Sequence, residues 1–222
     1  MINNAVTLKH GNKLLLNHPQ IYQFAKIVKY RKKDIVFREG TIGNHIYILL
    51  SGVLMAYRTS ENGQQRILQF FRPNDIYGNI TLVEDYVHTM TVEVLEPAVN
   101  LEINKRYVKQ LISQEPEILW YLYEDIAKKL CSTAQMIEDN YLTAEQRIVK
   151  SIINLCRQFG YSTKNGIELK VNLTQDELAR YAGTTRVTAA KQLSSLVDRG
   201  IIRTMPKPWI IYRMDELMNY LQ

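Results

Sequence analysis

The chain has only two cysteines in 222 residues, Cys131 and Cys156, and no Cys-x-x-Cys pair. Without a Cys/His cluster, neither a zinc finger nor a four-cysteine iron–sulfur site can be built within one chain. No metal site is expected, and no cofactor is evident. Both cysteines fall in segments that read as helix, where a buried structural thiol is the expected role. No apolar run reaches the roughly 18–20 residues of a bilayer span, so no membrane association is expected. Met1–His18 lacks the charged start, long apolar stretch and small-residue cleavage site of a secretory leader, so a cytoplasmic address is expected. Signatures of catalysis are missing as well: there is no phosphate-cradling Gly-rich loop, no Gly-x-Ser-x-Gly elbow and no His-Glu-x-x-His. The paired acids Glu84-Asp85 sit in an apparent turn and read as solvated. An enzyme is not expected.

What is present is enough apolar material, 46% of residues, to bury real cores in two modules of ordinary size. The net charge is +6, and it is unevenly placed. Residues 144–222 hold 12 Lys and Arg against 7 Asp and Glu, whereas the rest of the chain is nearly neutral. That basic excess in the last third fits a contact with phosphate.

The spacing of Ile21, Phe24, Ala25 and Val28 predicts a helix over 19–30. From Asp34 to about Ile103 short apolar runs alternate with Gly, Asn, Pro and Asp. Turns are expected at Glu39-Gly40, Ser51-Gly52, Asn62-Gly63 and Pro73-Asn74-Asp75, which together read as an all-β sandwich or barrel. Asn62-Gly63 is the strongest turn signal, because a tight hairpin wants positive φ at both central residues. Helix returns over Lys105–Ser113 and over a long stretch from Pro116 to Tyr141. Along the latter, Leu119, Leu122, Ile126, Leu130, Thr133 and Ile137 recur every three or four positions, a narrow seam suited to a partner copy. Thr143 caps a helix over Ala144–Phe159 that Gly160 ends. An Asn165-Gly166 turn, two more helices, a strand pair Ile201–Thr204 and Trp209–Arg213, and a short helix Asp215–Leu221 complete the chain.

The two penultimate helices carry the function. Thr174-Gln-Asp-Glu177 is a capping box, in which each end residue satisfies the other's backbone amide. Leu178 and Ala182 face inward, small Ala179 lets two helices cross closely, and Gly183 allows a sharp turn at positive φ. Thr184 or Thr185 caps the next helix, whose inward face is Ala189, Leu193, Leu196 and Val197. Gln192 falls where an apolar residue is expected. This is the grammar of a helix-turn-helix followed by a wing hairpin. Outward lie Thr185, Arg186, Val187, Thr188, Lys191, Ser194 and Ser195. Arg186 can fork onto guanine O6/N7, Val187 can pack on a thymine methyl, Thr185 and Thr188 suit phosphate, and Lys191 can reach guanine or phosphate. Thr174 and Gln175 complete the expected DNA-binding set.

The order of these parts resembles the cyclic-AMP receptor protein/FNR family of bacterial regulators. The resemblance spans nearly the whole chain, through IYILLSGVL (46–54), FRPNDIYGNITL (71–82), the long helix and TQDELARYAGTTRVTAAKQL (174–193). It implies an α+β chain with a sensor domain over 1–115, built as a double-stranded β-helix, the jelly-roll or cupin-like β-roll. A dimerisation helix over 116–142 and a winged helix-turn-helix domain over 143–222 follow. It also implies a homodimer, a palindromic operator and RNA polymerase as partners. Phe159–Asn165 is the loop where some members touch the polymerase. Activator and repressor both stay open.

In relatives that bind cyclic nucleotides, a Gly-Glu-Leu sequence holds the ribose and an Arg-Ser or Arg-Thr pairs with the cyclic phosphate. Here those places read Gly78-Asn79-Ile80 and His88-Thr89, with one residue fewer between them. Asn79 supplies no carboxylate, and neutral His88 does not fork onto phosphate as Arg does. Cyclic AMP is therefore not the expected effector. Gly78, Asn79, Ile80, His88, Thr89 and Thr133 are the positions at which a different small molecule would sit. The cysteine cluster of the iron–sulfur branch is missing, and His10, His18, His45 and His88 match haem ligands by type only. Arg186-Val187 resembles the nitrogen-control branch. The alternative to DNA recognition is a ligand-binding regulatory module that acts through protein contacts.

Overall fold

A computed structural model describes residues 21–83 and 86–221. Met1–His18, with His10 and His18, and Glu84-Asp85 lie outside the described residues. The chain divides into two compact units: one holds the residues up to Arg58 and Gln69–Thr133, the other Thr59–Leu68 and the residues from Ala134 on.

In the first unit a single helical turn, α1 (Ile21–Phe24), gives way to strand β1 (Ala25–Tyr30). The helix predicted over 19–30 is thus a strand for most of its described length. The reason is tertiary: all six residues of β1 join an antiparallel ladder with β6 (Thr91–Asn104), from Ala25 opposite Ile103 to Tyr30 opposite Ala98. A ladder this complete overrides a helical spacing carried by four residues. Strands β2 (Ile35–Phe37), β3 (His45–Thr59), β4 (Gln65–Phe71) and β5 (Ile76–Tyr77) complete the β-roll. Its order is β1-β6-β3-β4, with β2 against β6 and β5 against β3.

Three of the four expected turns form. Asp75 N donates to Arg72 O at 3.0 Å across Pro73-Asn74, and Asn74 has φ 73°, the type II pattern with Pro at its first central position. Asn62-Gly63 turns the β3–β4 connection, but of the pair only Gly63 has positive φ, so a longer loop replaces the two-residue hairpin. Ser51-Gly52 does not turn at all. It lies inside β3 as a bulge, where the register against β6 slips. A side chain at 52 would meet Pro97 O at 2.3 Å, so glycine there admits the neighbouring backbone rather than reversing the chain.

Alternation along the strands produces two cores. Tyr47, Leu49, Leu54, Phe71, Tyr77, Val92 and Val94 fill the roll. Ile46, Ile48, Ile76, Leu101 and Ile103 point the other way and bury Tyr107, Val108 and Leu111 of α2 (Lys105–Gln114) and Ile118 and Leu122 of α3 (Glu117–Glu138). Helix α3 has 22 residues, about 33 Å at 1.5 Å per residue. Leu122, expected in the seam, is instead buried on the roll, and Tyr123 takes its place in the exposed stripe. Leu119, Tyr123, Ile126, Leu130 and Ile137 are 45–68% exposed. Cys131 is exposed, against the expectation of a buried thiol, because its place on α3 turns it away from the roll; Cys156 is buried.

In the second unit, α4 (Ala144–Phe159) starts on a capping box between Thr143 and Gln146 and buries Ile148, Val149, Ile152, Ile153, Leu155 and Cys156. Then come β7 (Gly160–Thr163), β8 (Gly166–Leu169), α5 (Gln175–Ala182), α6 (Arg186–Asp198), β9 (Ile202–Arg203), β10 (Ile210–Ile211) and α7 (Met214–Asn219). The sheet order is β7-β8-β10-β9. Strand β7 was not foreseen: Thr163 pairs with Gly166, so the hairpin turns on Lys164-Asn165 rather than on Asn165-Gly166. No helix among the described residues is long and apolar enough to cross a membrane.

Candidate nucleic-acid interface

Helix α5 is fixed at both ends. Glu177 N donates to Thr174 Oγ1 at 3.1 Å and Thr174 N donates to Glu177 Oε2 at 2.6 Å, which closes the capping box. Such a cap contributes about 1 kcal/mol. At the other end Gly183 has φ 62° and ψ 49°, the left-handed conformation that glycine adopts without strain. Arg147 of α4 braces this turn. Its Nε donates to Ala182 O at 3.0 Å and its Nη2 to Gly183 O at 3.3 Å, a cation at a helix C-terminus where the carbonyls lack partners. A Cβ on residue 183 would also fall 1.3 Å from Arg66 Nη1 of the same unit.

Thr185, not Thr184, caps α6: Thr188 N donates to Thr185 Oγ1 at 3.2 Å. Ala189, Gln192, Leu193 and Leu196 face inward. Val197 is 38% exposed, since the helix ends one residue later and little packs over its last turn. Arg186, Val187 and Lys191 are exposed, Val187 to 79%, and Val187 and Lys191 lie one turn apart on a common face. Thr185 is exposed and Thr188 half-buried, their hydroxyls 2.9 Å apart.

A cleft of about 470 Å³ lies between the start of α5, the start of α6 and the β9–β10 hairpin. Thr174, Gln175 and Asp176 line one side, Arg186 the second, and Thr204, Met205, Lys207 and Trp209 the third. The cleft therefore gathers Thr174, Gln175 and Arg186 of the expected set. Lys207 and Met205 were missed. Lys207 Nζ donates to Leu173 O at 3.0 Å, which ties the hairpin to the residue before the capping box. The available signal was a lysine between two prolines at a hairpin tip. Asp176, the acid in this cleft, pairs with Arg180 Nε at 3.1 Å. Chemically the cleft offers exposed cations and a helix N-terminus, both suited to an anionic backbone.

In the roll, the six effector positions do not form one open site. Gly78, at φ 73°, packs beneath the Tyr47 ring. Asn79 is buried, and its Nδ2 donates to Asp125 Oδ2 at 3.0 Å. Ile80 is half-buried and Thr89 exposed. Thr133 Oγ1 donates to Lys129 O of its own helix. His88 is 3% exposed and stacked on Phe37 at 3.6 Å between ring centres; burial pushes its pKa down to about 4, which keeps it neutral. Tyr77 stacks between Tyr47 and Phe71 at 5.1 and 4.8 Å, so aromatic rings continue into the roll interior.

A β-roll, a long helix and a winged helix-turn-helix in this order define a DNA-binding regulator. The cyclic nucleotide-binding domain family matches residues 27–115, and the Crp-like helix-turn-helix domain family matches residues 146–220. The CRP-like cAMP-activated global transcriptional regulator of Mycobacterium tuberculosis is 26% identical over 86% of this chain and 85% of its own. The global nitrogen regulator of a Nostoc species is 23% identical over 83% of this chain and 84% of its own. Among solved structures, a CooA variant from Carboxydothermus hydrogenoformans superposes with a TM-score of 0.78 at 18% identity, covering 95% of this chain and 94% of that one. FixK2 from Bradyrhizobium japonicum gives 0.77 at 19% identity, covering 88% and 96%. The chain belongs to the cyclic-AMP receptor protein/FNR family of bacterial transcription regulators. It is a DNA-binding transcription regulator.

Proposed function

We propose that two copies of the chain pair through 116–142 and place their two α6 helices on the half-sites of a palindromic operator. The observation that carries this reading is the exposed Arg186, Val187 and Lys191 on the first turns of a helix whose start and preceding turn are capped and braced. Arg186 reads guanine O6/N7 as a bidentate donor, Val187 packs on a thymine methyl, and Lys191 reaches guanine or phosphate. Thr185, Thr188 and Gln175 hold phosphate oxygens. Thr174 uses its hydroxyl in the capping box, so it offers the backbone amides beside it more readily than its own side chain.

Residues 1–115 serve as the sensor, 116–142 as the dimerisation helix and 143–222 as the DNA-binding domain. Cyclic AMP is not the effector: Asn79 brings no carboxylate, and its amide is already bonded to Asp125. His88 is neutral and stacked where a phosphate partner would have to be charged and free. The segment Phe159–Asn165, expected as a loop but built largely as strand β7 and its turn because it pairs with β8, touches RNA polymerase, and the protein works in the cytoplasm. Selection of bound DNA from a random pool tests the reading. An inverted repeat with half-sites about one helical turn apart is the expected product. Recovery of no inverted repeat, with or without added cell extract, refutes it.

A further inference from the structure

Helix α3 carries two stripes. Ile118, Leu122, Asp125 and Lys129, spaced by three and four, turn toward the roll, whereas Leu119, Tyr123, Ile126, Leu130 and Ile137 are exposed. Neighbouring residues of a helix differ by about 100° in direction, so a rotation of that size would exchange the stripes. Something must fix the rotation if the exposed stripe is to meet a partner. Leu122 is the last fully buried apolar residue on the helix. Beyond it Asp125 and Lys129 reach the roll.

Those contacts form one network. Lys129 Nζ donates to Asp125 Oδ2 at 2.5 Å and to Ile76 O at 2.7 Å. Asn79 Nδ2 donates to the same carboxylate oxygen. Lys129 Nζ also stands 5.9 Å from the centre of the Phe71 ring. An exposed Asp/Lys pair one turn apart adds only a few tenths of a kcal/mol to a helix. This pair differs, because its side chains are only 13% and 26% exposed and each member also reaches a group on the roll. Charge-assisted bonds of this kind are the strong ones, and removing one partner leaves a half-buried charge without its counterion.

The network occupies the amide of Asn79, one of the six positions assigned above to an effector. We infer that Asp125 and Lys129 are an internal latch that holds α3 in its dimer-ready rotation, so that the DNA-binding dimer forms without a small-molecule effector. The inference rests on the operator-binding reading for its second half only. The latch itself concerns dimerisation. Asp125 and Lys129 are positioning residues: they bond to Asn79 and Ile76 O of the roll and act through the rotation of the seam.

The test uses full-length protein unfolded and refolded to strip any carried small molecule. Its dimer dissociation constant is measured by sedimentation, and its affinity for a selected inverted repeat by fluorescence anisotropy. Both are repeated with cyclic AMP and with the low-molecular-mass fraction of a cell extract. The wild type is expected to give the same values, within twofold, in all conditions. Lys129→Met and Asp125→Leu should each weaken dimerisation about tenfold, the pair together no more than either alone, and Lys129→Arg should stay within threefold of wild type. Asn79→Leu, which removes one arm and leaves the ion pair, should weaken it about threefold. A refolded wild type that dimerises or binds DNA only after extract is added overturns the inference. So does a Lys129→Met protein that dimerises like wild type. If no inverted repeat can be selected, the operator reading fails on its own, and the sedimentation series still decides the latch.

Discussion

Gln192 gives a prediction whose sign is not obvious. Its side chain lies on the inward face of α6, 6% exposed, beside Ala189, Leu193 and Leu196, and its Nε2 has no hydrogen-bond partner. A buried amide donor left unpaired costs about 1–3 kcal/mol. Methionine has the same unbranched length, and a volume-conserving change of this kind disturbs packing by less than about 1.5 kcal/mol. Gln192→Met is therefore expected to stabilise the unit by about 1 kcal/mol, which raises Tm by about 2–4 °C in a chain of this size. Urea unfolding followed by the fluorescence of Trp209, buried in the same unit, measures it. Gln192→Glu, which buries a charge at the same point, should lower the midpoint. Operator affinity should not move in the methionine variant, because residue 192 faces away from Arg186 and Lys191. A methionine variant less stable than wild type refutes the reasoning, since it would mean that the amide contributes a bond worth more than its desolvation.

Leu130, 68% exposed in the middle of the seam, should control association. Leu130→Glu is expected to shift the protein to monomer in sedimentation while leaving the circular dichroism of the chain unchanged, and an unshifted dimer would move the interface elsewhere. His88 sets a pH dependence. Its pKa is lowered by burial to about 4, from 6.5 in the unfolded chain, so as pH falls the unfolded chain binds the proton first. The stability it contributes is whole above about pH 6.5 and is lost progressively down to about pH 4, up to about 3 kcal/mol. Urea midpoints at pH 7 and 4.5 should differ more in wild type than in His88→Gln; equal differences would assign the loss to other groups. Val187→Glu places an acceptor in range of a cytosine amino group and should shift base preference at one position of each half-site by about 1–3 kcal/mol. An unchanged preference in a binding-site selection would take Val187 out of the groove.

Much of the DNA-binding unit was legible because its signals are local. Thr174 with Glu177, Thr143 and Gly183 each act on backbone groups within a few residues, and all three sit where expected; Gln146, which completes the capping box with Thr143, was not among the expected residues. The misplaced features depend on distant partners. The 25–30 segment is a strand because β6 lies alongside it, and Ser51-Gly52 is a bulge because Pro97 passes close by. Leu122 and Tyr123 are both apolar and adjacent, so their spacing alone does not tell which one meets the roll. In the site, the outward residues of α6 followed from helical periodicity, whereas the bond from Lys207 to Leu173 spans 34 residues and left no periodic trace. Asp125 and Lys129 did leave one, an acid one turn before a base, but nothing in the spacing pointed to Asn79 or Ile76.

Base reading by Arg186 underlies operator recognition by α6. The most direct measurement compares wild type and Arg186→Ala on two duplexes that differ only at the guanine assigned to that residue, by anisotropy at fixed salt. Wild type should prefer the guanine duplex by about 1–3 kcal/mol, and Arg186→Ala should bind both duplexes equally and more weakly. An alanine variant that keeps the full discrimination would contradict the docking of α6 described above.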